Sequence, residues 1–236
     1  SRSLKVDFAD WRLSNFDIIY RNYNFDLNGV ANGVFGLSNV YQTPNFFSDL
    51  YFTGLEMNDV PLGDASLHSL WNSPRESIDL DAEIIYSGNV GKSKVLALNG
   101  SYFPLRDRDN LNFRLELNNF RLETMSRFID EYVGNLQGIA SGSFYIGGST
   151  GKPTLEGNLK LMRTRCRINY LNTQYSFGHT IDFEKEAIRI NDLILYDSTG
   201  NTALANGIIR HKNLSNFNFD ILLKAEEFIC LNINSY

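Results

Sequence analysis

The chain has 236 residues, 43% hydrophobic and 13% aromatic, with 22 basic against 27 acidic side chains and a net charge of -5. That length allows a sizeable apolar core without disulfide staples, and the acidic balance excludes the basic footprint of a nucleic-acid binder. A mean hydropathy of only -0.24 beside so many apolar residues requires apolar and polar positions to alternate, which is the composition of a sheet.

The start, Ser1-Arg2-Ser3, lacks a signal-peptide core, and no run of 18 uncharged apolar residues occurs anywhere. The pattern begins in mid-strand at Leu4-Lys5-Val6-Asp7-Phe8 and stops at Ser235-Tyr236. The expectation is a piece of a longer chain, with any membrane anchor outside this window. Period-two alternation then recurs: Phe16/Ile18/Tyr20, Tyr23/Phe25/Leu27 between Asn22, Asn24, Asp26 and Asn28, and Ile78/Leu80/Ala82/Ile84/Tyr86 against Ser77, Asp79, Asp81 and Glu83. It continues at Phe113/Leu115/Leu117 and at Phe217/Phe219/Ile221/Leu223, the last alternating with Asn216, Asn218 and Asp220. One face of each such strand is dry and the other wet.

Turn signals fall between the runs at Asn28-Gly29, Ser87-Gly88-Asn89, Asn99-Gly100, Gly147-Gly148 and Ser198-Thr199-Gly200-Asn201. The count comes to roughly 15 to 18 short strands joined as hairpins and meanders, with no βαβ alternation. Asn-Gly followed by an apolar strand repeats at Asn32-Gly33, Asn99-Gly100 and Asn206-Gly207, as expected of a sheet that grows by adding similar hairpins; any antiparallel sheet, however, repeats its turn chemistry. Against this background an amphipathic pattern from Leu122 to Val133 predicts one short helix near 124–134. Met125, Phe128, Ile129, Tyr132 and Val133 have helical spacing, Thr124 serves as N-cap and Gly134 as the stop. Its acidic Asp130 and Glu131 suit a cap on the sheet better than an anionic membrane surface.

The fold expected is therefore all-β: an extended, curved, antiparallel-rich sheet, groove-like or sandwich-like, with one short helix. It forms a single elongated domain over 1–236 with a weak subdivision into 1–97 and 98–236. Candidate lining residues for an apolar groove are Phe113, Leu115, Leu117, Leu155, Leu159, Leu161, Phe217, Phe219, Ile221 and Leu223, with Met125, Phe128, Ile129 and Tyr132 as the cap helix.

Catalytic patterns are weak. Gly147-Gly148-Ser149-Thr150-Gly151-Lys152-Pro153 has the look of a phosphate loop, but Pro153 stands where Ser or Thr is required and no helix follows; it reads as a turn. His68, His179 and His211 are far apart and lack ligand spacing, and Cys166 and Cys230 read as small apolar residues or one optional bridge. Asp79, Asp81 and Glu83 share a strand face, as solvated or edge-protecting charges do. Arg163, Arg165 and Arg167 also share a face, solvated by default and able to meet lipid headgroups. Trp11 and Trp71 are isolated and build no sugar platform. No cofactor, metal or nucleic acid is expected, and an enzyme is disfavoured.

Gly138-Ile-Ala-Ser-Gly142-Ser-Phe-Tyr-Ile-Gly147, followed by Lys152-Pro153-Thr154-Leu155-Glu156-Gly157-Asn158-Leu159-Lys160-Leu161, resembles a glycine- and proline-punctuated strand signature of the TamB family, which is AsmA-like. The resemblance extends to Tyr170-Leu171-Asn172-Thr173 and to Ile188-Arg-Ile-Asn-Asp192-Leu-Ile-Leu-Tyr-Asp197-Ser-Thr-Gly200-Asn201. Gly207-Ile-Ile-Arg-His211, Asp220 and Phe228-Ile-Cys-Leu231-Asn232 are similar to Bacteroidetes-type members. Residues 98–232 carry the motifs, whereas 1–97 share the rhythm. The resemblance implies a curved "β-taco" sheet in the periplasm behind an inner-membrane anchor, and lipid transport between inner and outer membranes. Alternatively it implies a scaffold or chaperone role in outer-membrane protein assembly and secretion. The partners it implies are phospholipid acyl chains and an outer-membrane barrel protein of the BamA/TamA type. A trough of 15 to 18 strands would run about 70–85 Å at the usual strand spacing, and each methylene it takes from water is worth about 0.8 kcal/mol. Three readings stay open: a lipid conduit, an assembly scaffold with an exposed strand edge, and a carbohydrate-active β-fold enzyme, the last lacking an acid pair.

Overall fold

The computed structural model describes residues 3–16, 26–39, 45–88 and 91–231. Ile18, Tyr20, Asn22, Tyr23, Asn24, Phe25, Asn89 and Asn232 lie outside the described residues. The rest is all-β: β1 (Ser3–Arg12), β2 (Leu27–Ser38), β3 (Asn45–Met57), β4 (Val60–Asn72), β5 (Ser77–Gly88), β6 (Gly91–Tyr102), β7 (Leu111–Arg121), β8 (Val133–Ser149), β9 (Lys152–Ile168), β10 (Thr173–Glu184), β11 (Ala187–Tyr196), β12 (Thr202–Lys212) and β13 (Ser215–Ala225). They form one open antiparallel sheet whose strand order is the chain order. Contacts divide it into an N-terminal unit, 1–118 with 145–153, and a C-terminal unit, 119–144 with 154–236.

Among the described residues the sheet has 13 strands, longer than the short strands expected, for a local reason. Asn28-Gly29, Asn99-Gly100 and Gly147-Gly148, read as turns, lie within strands, as do Asn32-Gly33 and Asn206-Gly207. At Gly33 (φ 126°) and Gly100 (φ 152°) a Cβ would run into a carbonyl oxygen of the next strand, that of Asp49 and of Asn112. These glycines mark close strand approach. Two of the asparagines in these pairs act as caps: Asn32 Oδ1 accepts from the bulged Asp10 amide (2.9 Å), and Asn206 Oδ1 from the bulged Asp192 amide (2.8 Å). Several connections do follow their signals. Gly88 pairs with Gly91 where β5 gives way to β6, and Ser198-Thr199-Gly200-Asn201 connects β11 to β12; Asn58-Asp59, a pair not read as a turn in the sequence, join Met57 to Val60 with left-handed φ (54° and 63°).

The predicted helix is much shorter than its pattern. A 3-10 turn at Leu122–Met125 leads into α1, Ser126–Ile129, and β8 has begun by Val133. Thr124 is not an N-cap; its buried hydroxyl donates to the Arg121 carbonyl (2.6 Å). A tertiary tie ends the helix, because Asn169 takes the carbonyls that further turns would use. Its side-chain amide donates to Asp130 O (2.6 Å) and Glu131 O (3.2 Å), and its backbone amide to Tyr132 O (3.0 Å).

Candidate functional site

In the N-terminal unit the register puts one parity of every strand on a common face. A single row runs Phe8–Gly33–Leu50–Leu67–Ala82–Leu98–Leu115 from β1 to β7. Neighbouring rows add Trp11–Ala31–Phe52–Ala65–Ile84–Leu96–Leu117 and Val6–Phe35–Ser48–Ser69–Leu80–Gly100–Phe113. The only polar side chains in these rows, Ser48 and Ser69, are cross-strand partners and bond each other (2.7 Å), so the polar interruption is satisfied without water. Most of the row is half-buried, with Ala31 closed over and Leu4 and Trp11 open to solvent.

The opposite face of the same unit is wet. One of its rows reads Asp7–Val34–Asp49–His68–Asp81–Asn99–Arg114, and His68 pairs with Asp49 at 2.8 Å. The acidic trio lies here: Glu83 is paired with Lys94, and Asp79 accepts from Asn72, Ser77 and Ser101 (2.7–2.9 Å). The Asn72 hydrogen bond, reinforced by the two serines and Arg75, outweighs partial burial and holds the Asp79 carboxyl below its ordinary range. Asp79 and Glu83 thus tie neighbouring strands together, while Asp81 is exposed.

In the C-terminal unit the matching parity packs more closely. Leu122, Ala140 and Leu161 form one buried cluster with Leu136, Leu159 and Ile181; Ile190, Leu193 and Ala205 form another with Leu195, Ile209 and Leu223; Phe177 touches both. Tyr132, from the connection before β8, meets Phe217 (5.8 Å between ring centres) and Phe219 (5.7 Å) on β13. A flat sheet would hold β8 and β13 about 24 Å apart, five strand spacings. The sheet of this unit therefore curls until its last strand comes under the segment that follows α1.

The sequence-derived lining residues divide accordingly. Phe113, Leu115 and Leu117 lie half-buried on the dry face of the N-terminal unit, each alternating with an exposed polar neighbour. Leu159, Leu161 and Leu223 join the clusters, and Leu155 and Phe217 are half-buried. Phe219 (51% exposed) and Ile221 (43%) share the inner parity but sit on β13, which among the described residues pairs on one side only. Of the cap, Ile129 is half-buried, while Met125, Phe128 and Tyr132 are exposed over more than a third of their surface. Val6, Phe8, Phe35, Leu50 and Leu67 extend the same face but were not picked out from the sequence. Ser48, Ser69 and the mid-strand glycines break the apolar runs that would have revealed them.

Other features flagged in the sequence have structural duties. Ser149 and Thr150 of the glycine-rich turn are tied to Asp109 (3.1 Å) and Asn110 (2.9 Å). Both cysteines are free; burial pushes the Cys166 thiol up to about 11, while Cys230 is exposed. Among the described residues no group of three or more His, Cys, Asp or Glu side chains is placed to hold a metal ion, and no helix is long and apolar enough to cross a membrane. No protein-family model, curated protein or solved structure matches this chain.

Proposed function

We propose that the chain is a lipid-binding segment of a TamB-like envelope protein, its dry face holding phospholipid acyl chains between inner and outer membranes. The observation that carries this reading is the half-buried apolar face of the N-terminal unit, which runs over seven strands with the self-paired Ser48 and Ser69 as its polar interruption. Measured along the sheet it extends about 29 Å, six strand spacings, roughly twice the 15 Å or so that one acyl tail spans in a bilayer. Such a face gains about 0.8 kcal/mol for each methylene it covers, and the term has no direction. Tails are held without a fixed position and can slide.

A second reading, a scaffold for outer-membrane β-barrel assembly, is favoured by β13. It is the last strand of an open sheet and carries Phe219, Ile221 and Leu222 at 43–60% exposure. An apolar edge of that kind is a template for another strand.

The experiment is mass spectrometry of lipid extracted from the folded, purified chain, beside a Leu98→Asp variant. Phospholipid should accompany the wild type and be lost from the variant, whose carboxylate reaches water along the open face yet leaves no place for a tail. A folded wild type free of lipid, with an outer-membrane barrel protein captured instead through β13, would transfer the proposal to the scaffold.

A further inference from the structure

The polar face of the C-terminal unit carries a cleft of about 490 Å³ whose lining includes Gln137, Arg163, Arg165, Ser176, Gly178 and Tyr196. Register explains why it opens there. Arg165 lies opposite Ser176, and Ser176 opposite Tyr196, so β9, β10 and β11 contribute three polar side chains to one row. Next to that row the β10–β11 ladder is irregular until Asp182 meets Arg189. On the other side of β10 a bulge sets Met162 and Arg163 together against Gly178 alone. Gly178 has no side chain to fill the space.

Two observations single the cleft out. Among the described residues neither Arg163 nor Arg165 forms an ion pair, and the side chains of Gln137, Ser176 and Tyr196 form no hydrogen bond, so five donor-bearing side chains converge unused in a chain of net charge -5. Arg163 is also held at φ 52°. The other non-glycine residues with left-handed φ inside strands are Asp10, Asn119, Asn135, Asp192 and Asn216, all of the type that tolerates it. An arginine kept in a conformation that suits Asn or Gly points to a duty for its guanidinium.

We propose that this cleft binds a phosphate group, that of a small phosphomonoester or of a phospholipid headgroup. Two planar guanidinium forks with amide and hydroxyl donors around them exceed what the two oxygens of a carboxylate can accept, and suit the oxygens of a phosphate. Thr164 and Phe177 also border the cleft; the site does not depend on the acyl-chain reading, which rests on the dry face of the N-terminal unit, whereas these residues belong to the C-terminal unit.

The test is a calorimetric titration of the whole chain with glycerol 3-phosphate at fixed ionic strength, with co-sedimentation on phosphatidylglycerol and phosphatidylcholine vesicles alongside. Arg163→Asn relieves the backbone and removes the guanidinium. It should weaken binding roughly tenfold or more while the urea midpoint stays the same or rises. Gly178→Glu puts a carboxylate into the cleft and should abolish binding; a Cβ there meets only ordinary contacts, Leu161 O at 3.4 Å and Met162 Cα at 4.0 Å. Saturable binding of glycerol 3-phosphate assigns a soluble ligand. Capture by phosphatidylglycerol vesicles alone, lost in Arg163→Asn, assigns a headgroup. Binding of neither, or binding equal in wild type and both variants, overturns the proposal.

Discussion

Gly100 and Gly178 both sit in mid-strand, yet their surroundings give them opposite tolerances. A Cβ at Gly100 would collide with the Asn112 carbonyl and the Phe113 backbone, at a φ of 152°. Gly100→Ala should therefore cost roughly 1–3 kcal/mol through strand displacement. Gly178→Ala meets only ordinary contacts and should be neutral or stabilising by about 0.4–1 kcal/mol; urea denaturation of the two variants checks both. His211 is a second residue whose environment sets its behaviour. Its Nδ1 accepts from the Leu214 amide (3.3 Å), its buried Nε2 has no partner, and its ring meets Phe217. Burial lowers its pKa, with the charge of Glu186 pulling the other way. The unfolded chain thus takes up the proton first as the pH falls, so the contribution of neutral His211 is complete above the unfolded value of about 6.5 and declines below it. His211→Gln keeps an acceptor without titrating, and the gap between wild-type and variant midpoints should change between pH 7 and pH 5 to the disadvantage of the wild type. A constant gap would show that His211 is not titrating as a buried neutral group.

At the level of elements, β13 is paired on one side only, and the rings of Tyr132, Phe217 and Phe219 close its inner face. Tyr132→Ala removes two aromatic contacts worth about 0.5–1.5 kcal/mol each. Hydrogen exchange should quicken in β13 and leave β5 unchanged; uniform acceleration would mean that the contact supports the whole fold instead of one edge. The strands were legible because alternation at Ile78–Tyr86, Phe113–Leu117 and Phe217–Leu223 is a backbone property that neighbours do not rewrite. Their ends were less so. Asn-Gly is a hairpin signal by its conformational preference, but at 32–33, 99–100 and 206–207 the glycine allows close strand approach, and at two of these sites the asparagine caps a bulge on the preceding strand. The α1 pattern was real over one turn and was cut short by Asn169, a residue 39 positions from the Asp130 carbonyl it binds. The Arg163 cleft was legible only as an arginine stripe, since the bulge that opens it is a matter of register.

At the scale of the molecule, the N-terminal unit presents two faces of unlike chemistry, one apolar and one polar. A closed core would bury its apolar face completely, whereas Phe113, Leu115, Leu117 and most of the row they continue stay half-buried. That intermediate state is what the proposed acyl-chain carriage requires. The direct test places a photocrosslinking side chain at Leu115, on the dry face, and at its exposed neighbour Arg114 as the control, in the full-length protein in cells. Phospholipid adducts at Leu115 and none at Arg114 are the predicted result; equal labelling at both positions, or protein adducts alone at Leu115, would contradict it.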